Sequence, residues 1–198
     1  MLAAMVTWNE FEQAELEMAT RVRVMFEAGR HKTIATLRAD GSPRISGIEC
    51  EFVDGELRFG SMLGARKGAD LHRDPRFALH GPTVHPVEGR ETEWPGEAKV
   101  AGRVTSAGPL RADGADGPPH GEMFVADITE VVVTDLDPSG TRLVVDSWTP
   151  ERGRVQVARS ESLDRSFTAV LGRSPAPGGR TMSSPISTGS AMQSLSPP

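Results

Sequence analysis

The sequence contains no tyrosine and only one cysteine, Cys50, among its 198 residues. A single cysteine cannot form an intrachain disulfide, and such a composition is typical of a reducing compartment. The lack of tyrosine excludes a phenolic hydroxyl as proton donor. No apolar run approaches the roughly 20 residues of a membrane span, and the N-terminus lacks the pattern of a signal peptide. We therefore expect a cytoplasmic protein without a membrane segment.

The charge balance is mildly acidic, with a net charge of −5 and a pI near 5.6. This balance argues against nucleic acid as a partner. The hydrophobic content of 37% is that of a folded domain. From Gly172 onward the chain is rich in Ser, Pro and Gly, a composition that buries too little to offset its ordering entropy, and we predict disorder over 172–198.

An amphipathic helix is predicted over about 8–28. Thr7 and Glu10 have the spacing of a capping box, and Ala28-Gly29 supplies a stop. Between them, apolar residues recur at steps of three and four and form one stripe: Phe11, Ala14, Met18, Val22, Met25 and Phe26. This helix forms the predicted N-terminal segment 1–29, which packs on a domain that spans 30–171.

The domain is predicted to be mainly β, with six or seven antiparallel strands in a small barrel. Two Asp-Gly turns, Asp40-Gly41 and Asp54-Gly55, join strands at about 32–39, 43–53 and 56–62. A short helix at 64–73 follows the third strand, and Pro75 ends it near Asp74. Alternating segments after 76 predict further strands, with irregular loops at 81–95 and 106–121.

The middle strand, 43–53, has one face that begins polar and becomes apolar. Arg44 and Ser46 come first on that face, and the apolar positions Ile48, Cys50 and Phe52 follow. The apolar part is expected to fill the barrel, and the polar part to emerge at its rim.

The third strand ends in Ser61, and pairing across Asp54-Gly55 would place residues 44–48 near 60–64. Arg66 and Lys67 begin the short helix just beyond, where backbone amides add partial positive charge. Hydroxyls, cations and a helix N-terminus at one rim predict a phosphate site.

The run TLRADGSPRIS, followed by DGELRFGS and ARKGADLHRDPRFAL, resembles the pyridoxamine-phosphate-oxidase-like family of FMN-binding split barrels. The likeness covers about residues 30–105. It implies a split β-barrel homodimer with FMN at the subunit interface and oxidoreductase chemistry carried by the flavin. The implied phosphate ligands are Arg44, Ser46, Ser61, Arg66 and Lys67.

The resemblance also implies that the flavin ring lies along the backbone of Ile45 and Met62. Trp148 is expected at the dimer interface, where it could wall the flavin pocket. WTPERGRVQVARS lacks the histidine that pyridoxamine-phosphate oxidases use with an arginine for substrate phosphate, so oxidation of that substrate is not predicted. Two alternatives stay open: an F420-dependent reductase, and a non-catalytic protein that binds or sequesters flavin or haem.

Other site classes find less support in the sequence. His80 and His85 flank Pro82 without further acidic or sulfur ligands, so no metal site is predicted. Cys50 lies among apolar positions and is expected to be a buried, unreactive thiol. Neither Ser46 nor Ser61 has a histidine base with an acidic partner, and no catalytic residue is assigned.

Overall fold

The computed structural model describes residues 4–111 and 118–159. Over these residues the chain forms three α-helices, one 3₁₀ helix and nine strands. The helices are α1 (Trp8–Ala14), α2 (Leu16–Glu27) and α3 (Arg66–Arg73), and the 3₁₀ helix is Glu91–Glu93. The strands are β1 (Lys32–Leu37), β2 (Pro43–Ile48), β3 (Cys50–Val53), β4 (Glu56–Met62), β5 (Arg76–His80), β6 (Glu97–Leu110), β7 (Gly121–Leu136), β8 (Leu143–Thr149) and β9 (Gly153–Arg159).

The strands form one antiparallel sheet in the order β2-β1-β5-β6-β7-β4-β3, and β8 and β9 extend it from β7. The path does not close by hydrogen bonds: its two ends, β2 and β3, follow one another in the chain but do not pair with each other. The predicted mainly β split barrel is confirmed. The described strands number nine rather than six or seven because the middle strand divides in two and the polar segment after Trp148 forms β9.

The middle strand changes its partner at Glu49. Up to Ile48 it pairs with β1, in a register that sets Arg44 opposite Thr36 and Ser46 opposite Ile34. From Cys50 it pairs with β4. The predicted ladder between residues 44–48 and 60–64 is therefore not formed, although the hairpin register is correct from Val53 to Cys50.

The turn between β3 and β4 explains why that register is correct. Asp54 and Gly55 have φ values of 52° and 76°. Two successive residues with positive φ are what a tight hairpin turn requires, and Asp-Gly is among the sequences that adopt them at least cost.

The predicted N-terminal helix is two helices. The capping box is present, with the Thr7 hydroxyl accepting from the Glu10 amide and the Glu10 carboxylate accepting from the Thr7 amide. Glu15, at φ −142° and ψ 59°, leaves the helical range between α1 and α2. Phe11 before the break and Met18 after it are both fully buried, so the break keeps the apolar faces of both helices in the core.

Two further predictions concern segments that lie partly or wholly outside the described residues. Residues 106–110, predicted to be irregular, continue β6, whereas 112–117 lie outside the described residues. The predicted disordered tail, 172–198, also lies outside them. Within the described ranges, none of the helices has the length and apolar character needed to span a bilayer.

Candidate functional site

The first turn of α3 lies between β2 and β4. Lys67 Nζ donates to the backbone oxygen of Gly47 on β2 at 2.7 Å. The next residue, Gly68, packs on β4, and a Cβ there would lie 2.8 Å from Ser61 Oγ. Only glycine permits this approach without displacing the hydroxyl. The helix start thus occupies the gap where β2 and β4 do not pair.

The start of α3 is electropositive. Its N-cap residue, Ala65, provides no side-chain hydrogen bond to the first turn. Uncapped amides and the helix dipole favour an anion at this position. Arg66 is exposed and forms no ion pair with any described residue, and partial burial lowers the pKa of Lys67. A bound anion would pair with Arg66 and favour the charged form of Lys67.

Ser61 has a buried hydroxyl without a partner. The residue is 3% exposed, and Oγ forms no hydrogen bond within the described residues. A buried hydroxyl left unpaired costs about 1–3 kcal/mol. Such a cost is characteristic of sites in which an absent ligand completes the bonding.

Arg44 is held by a buried carboxylate that the sequence analysis did not single out. Its Nε lies 2.5 Å from Asp70 Oδ2, and the same carboxylate accepts from Arg73 at 2.8 Å and from the Thr36 hydroxyl at 3.0 Å. Burial opposes ionisation of Asp70, but these hydrogen bonds outweigh it and lower its pKa to about 2. Asp70 therefore stays charged and fixes Arg44 beside α3.

Ser46 lies on the same face of β2 as Arg44 and is half-buried. It forms no side-chain hydrogen bond with the described part of the chain. The five predicted phosphate ligands thus divide into a group near the start of α3 (Ser61, Arg66, Lys67) and a group on β2 (Arg44, Ser46). Lys67 connects the two groups through its bond to Gly47.

Exposed apolar side chains lie in the same segments of the chain as these cations. Ile45 is 77% exposed and Met62 is 75% exposed, and Leu63 beside Met62 is 66% exposed. Met62 also lines a cavity of about 560 Å³ together with Gly47 and Lys67. The remaining lining consists of Ile48, Cys50, Phe59, Gly60, Leu110 and Met123, together with the polar residues His31, Glu49, Glu51 and Arg58. A planar apolar molecule with an anionic end fits this combination.

Cys50 is one of the cavity-lining residues. Burial raises the pKa of its thiol to about 11, so the thiol stays protonated near neutral pH. The raised pKa agrees with the predicted unreactive thiol, although Cys50 is partly rather than fully buried.

Trp148 lies elsewhere. Its ring is 5% exposed and packs on Phe11 of α1, with 4.8 Å between ring centroids. The side chain belongs to the core between β8 and the N-terminal helices. It is not among the residues that line the cavity beside Lys67. A single copy of the chain already buries the ring in the core, and the predicted place of Trp148 at a dimer interface beside the cofactor stays a prediction.

Two residues of this region were missed by sequence reasoning. Asp70 follows Lys67 by three positions and Arg66 by four, a spacing that places all three on one side of a helix. That spacing was the available signal for a carboxylate facing the strand that carries Arg44. Gly68 carried no signal, because the close approach to Ser61 depends on where α3 docks.

No family model matches this chain, and no curated protein matches it either. Solved structures do match in three dimensions. An FMN-binding protein related to pyridoxamine 5′-phosphate oxidase, from Nostoc punctiforme PCC 73102, aligns with a TM-score of 0.50 and 12% identity over 76% of this chain and 96% of its own. The chain has the split-barrel fold of pyridoxamine 5′-phosphate oxidase-related proteins.

A second split barrel supports the same assignment of fold. PhzG from Burkholderia lata 383, solved in complex with tetrahydrophenazine-1-carboxylic acid, aligns with a TM-score of 0.52 and 11% identity. The alignment covers 77% of this chain and 92% of PhzG. At these identities the likeness establishes the fold, and the function has to be argued from the site.

Proposed function

We propose that this split barrel binds FMN and acts as an oxidoreductase on a small molecule. The observation that carries the proposal is the start of α3, where an unpartnered buried hydroxyl (Ser61) and two cations (Arg66, Lys67) adjoin an uncapped helix N-terminus. These groups suit a phosphate, since phosphate accepts several charge-assisted hydrogen bonds at once. The solved protein from Nostoc punctiforme with the same fold is described as FMN-binding.

Exposed apolar residues and the cavity beside Lys67 suit the flavin ring of FMN. The exposed Ile45 and Met62 and the mostly apolar cavity beside Lys67 would receive the flavin ring. The cavity volume of about 560 Å³ is within the usual range for small-molecule sites. Bound FMN would supply two-electron redox chemistry, and the residues of this chain would bind the phosphate, orient the ring and limit its contact with water.

A visible absorption spectrum of the purified protein tests the ligand. FMN, F420 and haem are added separately and free ligand is removed by gel filtration. Retention of FMN is the expected result. Retention of F420 alone would keep the phosphate site but replace the flavin with a deazaflavin, and retention of haem alone would contradict the proposal. Reduction of the bound FMN by NADH or NADPH then distinguishes a redox enzyme from a protein that only sequesters flavin.

Replacement of one lysine tests the site. Lys67→Ala removes a charge-assisted contact and should weaken FMN by about 2 kcal/mol, roughly 30-fold. Lys99→Ala is the matched control, because Lys99 lies on β6 and pairs with Glu97 away from the cavity. A flavin titration in which both variants bind equally well would remove Lys67 from the site.

A homodimer is proposed on separate grounds. Ile45, Met62 and Leu63 leave an exposed apolar surface on a single copy of the chain. Surfaces of this kind commonly mark contacts between proteins. A second copy across this surface would cover the flavin ring from the other side.

A further inference from the structure

Asp70 contacts three side chains from three elements of the fold. It lies on α3, is 3% exposed, and accepts from Thr36 on β1, from Arg44 on β2 and from Arg73 one helical turn away. Arg73 also donates to the Leu37 oxygen at 2.6 Å, so it has a second anchor. Within the described residues, the Arg44 side chain hydrogen-bonds only to Asp70.

The geometry leaves one side of the Arg44 guanidinium free. Its Nε is taken by Asp70, and neither Nη atom has a partner in the described structure. The Arg44 side chain is only 18% exposed. Because a guanidinium is planar and rigid, fixing Nε also fixes the direction of the N–H bonds on both η nitrogens.

Arg44 and Lys67 lie in the same gap between α3 and β2. Lys67 Nζ reaches the Gly47 oxygen, three residues along β2 from Arg44. Asp70 follows Lys67 by three positions and so lies on the same side of α3. By binding Nε, the Asp70 carboxylate therefore holds Arg44 against the same side of α3 that carries the proposed phosphate ligand Lys67.

We propose that Asp70 is a positioning residue: it binds Arg44 through Nε and presents the free η N–H groups to the phosphate of the cofactor. This inference rests on the proposed function, because it assigns Asp70 a role in the same phosphate site. Asp70 acts only through Arg44 and does not touch the ligand. If Asp70 only held α3 in place, its substitution would weaken the binding of FMN and of a phosphate-free ligand by the same factor.

A double-mutant cycle separates these two roles. FMN and riboflavin are titrated into wild type, Asp70→Asn, Arg44→Ala and the double variant. Each single substitution is expected to weaken FMN about 10-fold or more and riboflavin less than threefold. The double variant should bind FMN within twofold of Arg44→Ala, since Asp70 has nothing left to position.

The matched control is Arg73→Gln, which removes the other arginine of the same carboxylate and should leave FMN affinity within threefold of wild type. The proposal is overturned if Asp70→Asn binds FMN like wild type, if the two effects multiply, or if riboflavin weakens as much as FMN. Should Asp70→Asn fail to fold, Asp70→Glu replaces it, because the longer side chain keeps the charge and displaces the guanidinium. The same criteria then apply.

Failure of the proposed function would give a different result. If wild type binds no FMN, inorganic phosphate is titrated while the NMR signal of the Arg44 Nε–H is followed. A phosphate-dependent shift in wild type that disappears in Asp70→Asn would support the role of Asp70 at an anion site of another kind. No shift in wild type would overturn it together with the flavin proposal.

Discussion

Ser61 combines a structural cost with a proposed role in binding. Its hydroxyl is buried beneath Gly68 and has no partner within the described residues. Function often retains such groups, because the ligand supplies the missing hydrogen bond. The trade-off makes Ser61 a position where stability and binding should change in opposite directions.

We expect Ser61→Ala to raise the free energy of unfolding of the ligand-free protein by about 1 kcal/mol, because it removes an unpaired buried hydroxyl. The same variant should bind FMN more weakly. Urea denaturation followed by tryptophan fluorescence measures the first effect and a flavin titration the second. Ser147→Ala, whose hydroxyl donates to the Val155 oxygen, is the control and should not gain stability. Loss of stability in Ser61→Ala would show that the hydroxyl is satisfied in solution.

Asp70 should make the stability of the protein depend on pH in acid. Its folded-state pKa of about 2 lies below the unfolded value of about 3.9, so the folded state favours the charged form. The resulting stabilisation is complete above the unfolded pKa and is lost as pH falls towards 2. The difference in unfolding free energy between wild type and Asp70→Asn should therefore narrow by about 2 kcal/mol between pH 5 and pH 2.

Urea titrations at a series of pH values measure that difference. Asp74 and Asp137 also have pKa values lowered to about 2, by hydrogen bonds from Arg76 and Ser139 respectively, but they titrate in both proteins and cancel. A difference that stays constant with pH would mean that Asp70 is not held as a carboxylate.

At this scale the sequence allowed candidate side chains to be proposed, but not their contacts. Arg44, Ser61 and Lys67 could be singled out because each residue type suits a phosphate and the Asp-Gly turn set their approximate positions. Asp70 could not be connected to Arg44, because that contact depends on how α3 docks against β1 and β2. The contact between Trp148 and Phe11 could not be predicted for the same reason, since nothing local to β8 shows that α1 covers it.

At the scale of elements, β6 and β7 approach each other closely at a bulge. The register shifts between Ala101 and Gly102, and a Cβ at Gly102 would lie 1.9 Å from the Asp127 oxygen. A backbone atom cannot move aside as a flexible side chain can. Gly102 is thus required by packing rather than by a turn.

Gly102→Ala is expected to destabilise the fold by about 3 kcal/mol, because the methyl group forces the two strands apart. Thermal and urea unfolding measure the change. Gly47→Ala is the matched control on β2, where an added Cβ has no atom within 4 Å, and it should unfold close to wild type. Equal stability of the two variants would contradict the close approach at the bulge.

The elements themselves were largely predictable, and their boundaries less so. The Asp54-Gly55 turn specified its hairpin because only certain residues accept two positive φ values. The divisions at Glu15 and Glu49 had no local signal. At each division, the segments before and after it pack against different neighbours. A periodic pattern within one segment does not show where its neighbours change.

For the whole molecule, the exposed apolar surface predicts self-association. Sedimentation velocity should give a dimer at micromolar concentration, and Ile45→Lys should shift it towards monomer because it places a charge on that surface. Val24→Lys is the control, since Val24 is 59% exposed on α2 and away from the cavity. A wild-type chain that sediments as a monomer over the whole concentration range would contradict the proposed dimer.

The change of partner at Glu49 has a mechanical consequence. Every other junction around the barrel is a ladder of hydrogen bonds, and widening one of them breaks several bonds together. Between β2 and β3 the ring is continued by the backbone of Glu49, and beside it the start of α3 bridges β2 and β4 through the Lys67–Gly47 hydrogen bond and the packing of Gly68 on Ser61. We expect this junction, with fewer hydrogen bonds than a strand ladder, to be the most deformable part of the ring, and Glu49 there lines the cavity beside Lys67. A rigid ligand bound in this cavity should make the barrel less flexible, and the ligand-free barrel should be the more flexible form.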